Sequence, residues 1–343
     1  MDMKNVVDGF GVQEMSEKFQ ELGGKVHELS ERPMEIVTSA KADLSYHGKT
    51  IWLFTYSDLK TIIGPETAFG VLSALSGPIL TTHQSPDFSV VLARIPRVAF
   101  WCWINLLPFA IDNQRQPEAI EEDGENKPWR PMPSGRLSET QAKRLMWSLY
   151  PAAIVASLKL GGLKQCLALI FLGWWYNDLG GADHSCITRN FINACGFLSY
   201  ASGATEVASR TGLLGTPFSP VAWSWFVIIG AVVFTSVQTQ DMYDQAGDGL
   251  RGRKTVPLVV GDHYARWSIA IAMAVWSIVC PTFWQLGPGT YTMSMVTGGI
   301  IIFRTLTKRS VAADKLTFRI WNLWMVMLYL MPLFRRIKGD SWL

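Results

Sequence analysis

The sequence predicts an all-α, multi-pass membrane protein in which about nine transmembrane helices form one bundle. Two observations predict this class. Of the 343 residues, 49% are hydrophobic and only 17% are charged, and the mean hydropathy is +0.16, whereas soluble domains carry roughly 25% charged residues. In addition, apolar windows of about 20 residues, the length that crosses about 30 Å of hydrocarbon, recur along the chain.

The predicted spans succeed one another from residue 62 to residue 335. They cover residues 62–82, 89–113, 139–161, 163–178, 186–207, 220–244, 264–284, 290–308 and 316–335. Residues 1–60 are polar and contain no short apolar run that ends in a small-residue cleavage site, so we expect the first span to direct insertion itself. The chain therefore divides into a polar N-terminal extension, 1–60, and a transmembrane domain, 61–343.

The distribution of basic residues predicts the orientation of the chain in the lipid bilayer. Lysine and arginine are concentrated between spans two and three, six and seven, and eight and nine. The positive-inside rule places these connections in the cytosol, with the N-terminus inside and the C-terminus outside. Arg335, Arg336 and Lys338 at the C-terminus are discordant with this orientation. In a eukaryote, we expect such a protein in the endoplasmic reticulum.

Composition also argues against two other classes of protein. The net charge is only +3, and the aromatic residues lie in apolar spans rather than along a basic stripe, so nucleic acid is not an expected partner. The five cysteines are scattered without a CxxC pair, which argues against a zinc site and a disulfide framework. We expect them to be ordinary buried residues.

Three aspartates, Asp241, Asp244 and Asp248, close the sixth predicted span. If the helix continues through them, a rotation of about 100° per residue places the three carboxylates within an arc of roughly 60°. Carboxylates crowded in this way repel one another unless a cation neutralises them, which predicts a divalent-metal site, here for Mg²⁺. Glycines and the basic residues Arg251, Arg253 and Lys254 follow directly. Carboxylates that can bind Mg²⁺, glycines that let the backbone approach and basic side chains that can bind an anion together indicate a diphosphate pocket.

The connection between spans two and three carries a second acidic segment. Pro117 suits the first turn of a short helix, and acidic residues at steps of three and four would share one face of it. They are Glu118, Glu121, Glu122 and Glu125. A solvated acidic loop is the alternative interpretation, but the downstream aspartates favour a site. Lys127, Arg130 and Arg136 follow as possible phosphate partners.

Two passages resemble the UbiA superfamily of intramembrane prenyltransferases and related terpene cyclases. The first runs Asp241-x-x-Asp244-x-x-Gly247-Asp248, matches the DxxDxxxD pattern of that family, and continues through Gly252, Thr255 and Pro257. The second runs Asn126-Lys127-Pro128-x-Arg130-Pro131 and continues to Gly135. The resemblance implies a helical bundle around a lateral cavity, in which Mg²⁺ held by both acidic segments grips a prenyl diphosphate.

The second passage departs from the usual family pattern, in which NDxxDxxxD precedes NKPxRP. Counting back from Asn126, only Asp123 keeps its register. Asn113 resembles the opening asparagine displaced by two residues, and glutamates stand where aspartates are usual. This form resembles a divergent branch of fungal secondary metabolism that includes membrane-bound terpene cyclases.

The residues and the resemblance together give a predicted site. The predicted catalytic acids are Asp123, Asp241, Asp244 and Asp248. The predicted metal ligands are these four aspartates with Glu118 and Glu122. The predicted substrate-binding residues are Asn113, Lys127, Arg130, Asn193, Arg251 and Lys254. Asn193, like its neighbours Arg189 and Asn190, is expected to face the bundle or the headgroups, because burying a polar side chain in lipid is costly.

The reaction implied by the resemblance begins with Mg²⁺-dependent ionisation of farnesyl or geranylgeranyl diphosphate, supplied by an upstream prenyl diphosphate synthase. Cyclisation to a terpene is the favoured outcome, transfer to an aromatic acceptor is the alternative, and transport is a third hypothesis. Aromatic residues could stabilise a carbocation, although they are also typical of membrane interfaces. They are Trp101, Trp103, Trp174, Trp175, Tyr176, Trp223 and Trp225.

Overall fold

The computed structural model describes residues 20, 41–82, 86–209 and 218–338. The chain forms two compact units, Met1–Trp52 and Leu53–Leu343. In the first unit, residues 41–52 are helical. In the second, the described residues form helices joined by short turns, and an isolated bridge between Thr81 and Phe218 is the one β feature among them.

In the second unit, residues 53–55 are helical. A 3₁₀ turn, Tyr56–Asp58, and a π-helical turn, Leu59–Ile63, follow, and a series of α-helices continues from there. In chain order these are α1 Gly64–Ser76, α2 Phe88–Arg115, α3 Pro117–Asn126, α4 Glu139–Leu160, α5 Leu163–Asn177, α6 Gly181–His184, α7 Cys186–Ser209, α8 Pro220–Ser236, α9 Gln245–Leu250, α10 Val256–Val260, α11 Asp262–Phe283, α12 Pro288–Thr307, α13 Val311–Tyr329 and α14 Met331–Lys338.

Each predicted span overlaps a helix, although the sixth, 220–244, extends beyond α8 and the ninth, 316–335, covers parts of both α13 and α14. Four segments of the described residues are long and apolar enough to cross a membrane. These are Phe88–Arg115, Pro220–Thr239, Asp262–Phe283 and Val311–Lys338. Helices α1 and α5 have 13 and 15 residues, so they reach only about 20 and 23 Å at 1.5 Å per residue. The all-helical class with several membrane spans is therefore confirmed, whereas nine spans in one bundle stays a prediction.

Tryptophan side chains tie the helices together in the core. Trp101 of α2 is fully buried, and its indole N–H donates to the hydroxyl of Ser157 on α4 at 2.9 Å. A Cβ atom at Gly203 of α7 would lie 2.1 Å from the Trp101 ring, so only glycine permits this crossing. Trp321 of α13 likewise donates to Ser236 of α8 at 3.0 Å. Because these buried polar groups are hydrogen-bonded, the burial of the rings carries no desolvation penalty for the indole N–H.

Helix α8 ends at Ser236, eight residues before the predicted end of the sixth span, 220–244. The predicted continuous helix with three aspartates on one face is therefore wrong. At the end of α8, hydroxyl side chains bond to nearby backbone carbonyls: Ser236 Oγ to Val232 O at 2.6 Å, and Thr239 Oγ1 to Ser236 O at 2.7 Å. Such bonds compete with helix propagation. A 3₁₀ turn, Val237–Thr239, follows.

Candidate active site

A cavity of about 790 Å³ lies among α2, α5, α7 and α13, beneath the segments that carry the two acidic passages. Arg189, Asn193, Phe197 and Tyr200 of α7 all line it, spaced by about one helical turn. The wall therefore changes from charged to apolar along this helix. An amphipathic ligand with an anionic head and a hydrocarbon tail matches such a gradient.

Asn126 and Lys127 join the two acidic passages at the charged end of the cavity. The Asn126 side chain donates to the backbone carbonyl of Asp244 at 3.0 Å and accepts from the backbone N–H of Gly247 at 3.3 Å. The Lys127 ammonium lies 2.9 Å from Oδ2 of Asp244. A Cβ atom on Gly247 would lie 2.3 Å from Asn126 Nδ2 and 2.7 Å from the carbonyl of Glu122. Only glycine therefore permits this approach between α3 and α9.

Glu122 of α3 is held by two arginines from the segment after α9. Its Oε2 atom lies 2.9 Å from Arg253 and 3.3 Å from Arg251. Both arginines also pair with Asp183, at 3.7 and 3.2 Å. Burial alone would raise the pKa of Glu122, but the charges of Arg253 and Arg251 outweigh it and lower that pKa. Glu122 is consequently an ionised carboxylate at neutral pH.

Two further ion pairs join arginines of the cavity wall to aspartates that are buried behind it. Arg189 donates to Asp241 at 3.0 Å and also to the hydroxyl of Tyr176. Arg130 donates through one nitrogen to both carboxylate oxygens of Asp123, each at 2.9 Å. In each pair, both side chains are almost completely buried. Removing one partner would leave an uncompensated buried charge, so these pairs fix the positions of the acidic segments.

The carboxylates at the cavity fit a divalent cation chemically. Oδ2 of Asp241, Oδ1 of Asp244 and Oδ2 of Asp248 are buried without a hydrogen-bond partner among the described residues. Burial raises the pKa of Asp248 to about 7 and also raises the pKa of Asp241. A hard cation such as Mg²⁺ accepts carboxylate oxygens. Glu122, Asp244 and Asp248, which line the cavity, are the residues that could hold it.

These acids do not already form a metal cage. Within the part of the chain that the structure describes, no three carboxylate, histidine or cysteine side chains are grouped so that they could hold a metal ion. Lys127 pairs with Asp244, and Arg253 pairs with Glu122, so each of these carboxylates already has a cationic partner. Binding of a cation together with an anion would give each charged group a new partner.

The structure brings most predicted site residues together. The predicted residues that line the cavity are Asn113, Glu122, Lys127, Arg130, Asn193, Asp244 and Asp248. The Nδ2 atom of Asn193 is buried and has no hydrogen-bond partner among the described atoms. Asn113 donates to Asn177 at 3.0 Å.

The remaining predicted residues lie elsewhere. Asp123 and Asp241 are buried behind the wall, and Arg251 lies behind Glu122. Glu118 and Lys254 are exposed and do not line the cavity. Glu118 falls on the solvent side of α3, because Ala119 and Glu122 turn inward. Neither Glu118 nor Lys254 is retained in the proposal below.

Several charged residues of the cavity were absent from the predicted site. They are Asp58, Lys60, Arg189, Arg253, Lys315 and Arg319. The sequence marks Arg189 and Arg253 only as polar or basic residues near the site. Spacing alone does not show that Arg253, rather than Arg251 or Lys254, lines the cavity. In the sequence, Lys315 and Arg319 contribute only to the positive charge near the connection between spans eight and nine. Their separation of four residues nevertheless places them on one helix face. Of the seven aromatic candidates, Tyr176 alone lines the cavity.

The chain belongs to the UbiA prenyltransferase family, whose model matches residues 70–324. It is 27% identical over 293 residues to fumagillin beta-trans-bergamotene synthase of Aspergillus fumigatus, a match that covers 85% of this chain and 94% of that protein. It is also 27% identical over 280 residues to somaliensene A/B synthase of Streptomyces somaliensis, over 80% of this chain and 88% of that protein.

Solved structures show the same fold. A UbiA homolog from Archaeoglobus fulgidus, bound to GPP and Mg²⁺, superposes with a TM-score of 0.54 at 13% identity, over 80% of this chain and 99% of that one. The predicted resemblance is therefore confirmed. The protein is an enzyme of the UbiA type, a terpene cyclase or prenyltransferase, and its apolar helices make it an integral membrane protein.

Proposed function

We propose that this enzyme is a terpene cyclase that ionises a prenyl diphosphate, farnesyl or geranylgeranyl diphosphate, in a Mg²⁺-dependent reaction. The contact of Lys127 with Asp244 carries the proposal, because it unites both acidic passages at one mouth. The buried, unpartnered carboxylate oxygens beside it support a cation site. The relatives named as bergamotene and somaliensene synthases favour cyclisation over transfer.

The head of the substrate is held at the charged end. Bound Mg²⁺, ligated by Glu122, Asp244 and Asp248, would neutralise negative charge on the diphosphate. Lys127 and Arg253 line the same end and would donate hydrogen bonds to phosphate oxygens, which are good acceptors for both side chains. These interactions strengthen as charge grows on the leaving group, so they favour the transition state over the ground state.

The reaction breaks the bond between the allylic carbon and the diphosphate oxygen, and both electrons leave with the diphosphate. A double bond of the same prenyl chain then supplies the electron pair that closes the ring. A proton is finally lost from a carbon next to the cation to the departed diphosphate, which acts as the base. Phe109, Phe197 and Phe318 line the wall and would stabilise the cation through their ring faces.

The membrane setting belongs to the same proposal. The mouth of the cavity is built by the basic connections that the positive-inside rule assigns to the cytosol, so a diphosphate made by an upstream synthase reaches it from the aqueous side. The hydrocarbon tail then enters the apolar part of the cavity. In a eukaryote, the membrane would be that of the endoplasmic reticulum.

The test is an incubation of membranes that contain the protein with farnesyl or geranylgeranyl diphosphate and Mg²⁺, without any acceptor. A cyclic hydrocarbon in the organic extract supports the proposal. Consumption of the substrate only after an aromatic acceptor is added would assign the enzyme to prenyl transfer instead. Both outcomes are read from the mass spectra of the extracted products, with membranes lacking the protein as the control.

A further inference from the structure

Three basic side chains, Lys60, Lys315 and Arg319, line the cavity outside both acidic passages. Lys60 lies in the π-helical turn that precedes α1. Lys315 and Arg319 lie four residues apart on α13, so they share one face of that helix. Lys315 Nζ is 5.7 Å from the centre of the Tyr243 ring, between Asp241 and Asp244 in sequence. Lys315 therefore lies next to the passage that runs from Asp241 to Asp248.

Among the residues that the structure describes, these cations differ from the other basic residues of the cavity in having no ion-pair partner. Lys127, Arg130, Arg189 and Arg253 each pair with a carboxylate. Across the described residues, no ion pair includes any of the other three. The basic side chains of the acidic passages are thus largely neutralised within the protein, while this second group retains its charge.

The second group is also electrostatically unfavourable without a ligand. Burial and then repulsion by Arg319 lower the pKa of Lys60, with a smaller repulsion from Lys127, despite attraction from Asp58 and Asp244. Like charges that face each other across a cavity raise the energy of both. An anion bound between them would relieve this repulsion.

We propose that Lys60, Lys315 and Arg319 form a phosphate-binding subsite that does not require a metal ion and that holds the diphosphate of the substrate and of the product. The inference rests on the proposed function, which brings a diphosphate to this end of the cavity. The chemistry matches, since an arginine fork binds phosphate oxygens in pairs and lysines add point charges. Glu122, Asp244 and Asp248 would then bind the diphosphate only through Mg²⁺, while the subsite binds its other oxygens.

The subsite positions the leaving group against the metal side. A diphosphate held from both sides cannot rotate freely, so its bond to the allylic carbon keeps one direction relative to the apolar wall. After ionisation the same side chains retain the product diphosphate beside the cation. This retention keeps the base in place for the final proton loss.

The test measures binding of inorganic diphosphate to the full-length protein in nanodiscs of neutral phosphatidylcholine, with EDTA present to remove metal ions. The wild type should bind, and Lys315→Gln/Arg319→Gln should bind at least about tenfold more weakly. Lys308→Gln/Arg309→Gln is the matched control, because it removes two cations just before α13 that do not line the cavity. It should bind like the wild type.

Equal affinity of wild type and Lys315→Gln/Arg319→Gln would overturn the subsite. A difference that appears only when the nanodiscs contain anionic lipid would also overturn it, since a headgroup would then be the ligand. Thermal unfolding of each variant shows that the fold is intact, and Lys60→Gln gives a second, independent variant. A separate turnover assay with a prenyl diphosphate tests the proposed function. If the protein binds diphosphate without metal but turns over no prenyl diphosphate, the proposed function is contradicted and the subsite is still supported.

Discussion

The ammonium of Lys127 lies 2.9 Å from a carboxylate oxygen of Asp244, although 117 residues separate the two in sequence. This contact joins the NKPxRP passage, which begins at the last residue of α3, to the aspartate passage that leads into α9. It also explains why the acids remain close together without a metal ion, because the lysine supplies the positive charge. The cavity mouth is thus one electrostatic unit built from two distant segments.

Lys127 and Arg130 should respond differently to substitution, although both line the cavity. Lys127→Gln should raise the KM for the prenyl diphosphate by about tenfold or more, because Lys127 lines the cavity and would donate to phosphate. The loss of thermal stability should be small, because the Lys127–Asp244 pair is partly exposed. Arg130→Gln should lower the unfolding temperature, because the buried Asp123 would lose its partner, at a cost of about 3–5 kcal/mol. Steady-state kinetics with thermal unfolding in detergent checks both. An unchanged KM in Lys127→Gln would contradict this assignment.

Gly247 should tolerate no side chain, whereas Gly249 should. A Cβ atom at Gly247 would clash with Asn126 and with the backbone of Glu122, while nothing lies within 4 Å of one at Gly249. Gly247→Ala should therefore separate α3 from α9 and reduce turnover at least about tenfold. Gly249→Ala, in the same short helix, should behave like the wild type. Comparable rates for the two variants would show that this approach is not needed for activity.

Gly196 should limit the length of the prenyl chain that the cavity accepts. It lines the cavity on α7, and nothing lies within 4 Å of a Cβ atom built there. Gly196→Leu should fill apolar space and shift kcat/KM at least about tenfold toward a shorter prenyl diphosphate. Gly299→Leu, on an exposed position of α12 with equally open surroundings, is the control. If both variants keep the wild-type preference, the tail lies elsewhere.

Mg²⁺ affinity should increase as the pH rises from 6 to 8. Burial raises the pKa of Asp248 to about 7, so below this pH the carboxyl is protonated and a cation must displace the proton. The dissociation constant should fall by up to about tenfold per pH unit below the pKa and level off above it. Asp248→Asn should weaken Mg²⁺ binding and remove this step. Calorimetric titration with Mg²⁺ at several pH values decides between these outcomes; diphosphate is left out, because its own protons dissociate in this pH range.

Much of the site could be predicted because its residues lie in two compact passages. Asp244, Asp248, Lys127 and their neighbours occupy short segments whose spacing carries the chemistry. The positions of the helices also followed from hydropathy alone. The helical geometry predicted for the aspartates was wrong, because α8 ends at Ser236 and a 3₁₀ turn follows, and hydropathy does not reveal where within an apolar run a helix ends.

Residues contributed singly by distant helices were harder to predict. Lys60 reaches the cavity from the turn before α1, and Lys315 and Arg319 reach it from α13. Nothing in their local sequence distinguishes them from ordinary basic residues at membrane boundaries. Glu118 is the reverse case, since the sequence predicts it at the site and the structure leaves it exposed. An acidic run at helical spacing has an inner and an outer side, and only packing decides that Glu122 is inside.

The most direct test of the central claim is diphosphate release by the purified enzyme with farnesyl or geranylgeranyl diphosphate and no acceptor. Release should require Mg²⁺, match the cyclic hydrocarbon formed in molar amount, and fall at least about 100-fold in Asp248→Asn, while that variant still accumulates in membranes. Release at the same rate in EDTA, or in Asp248→Asn, would contradict ionisation by a metal site at the joined acidic passages.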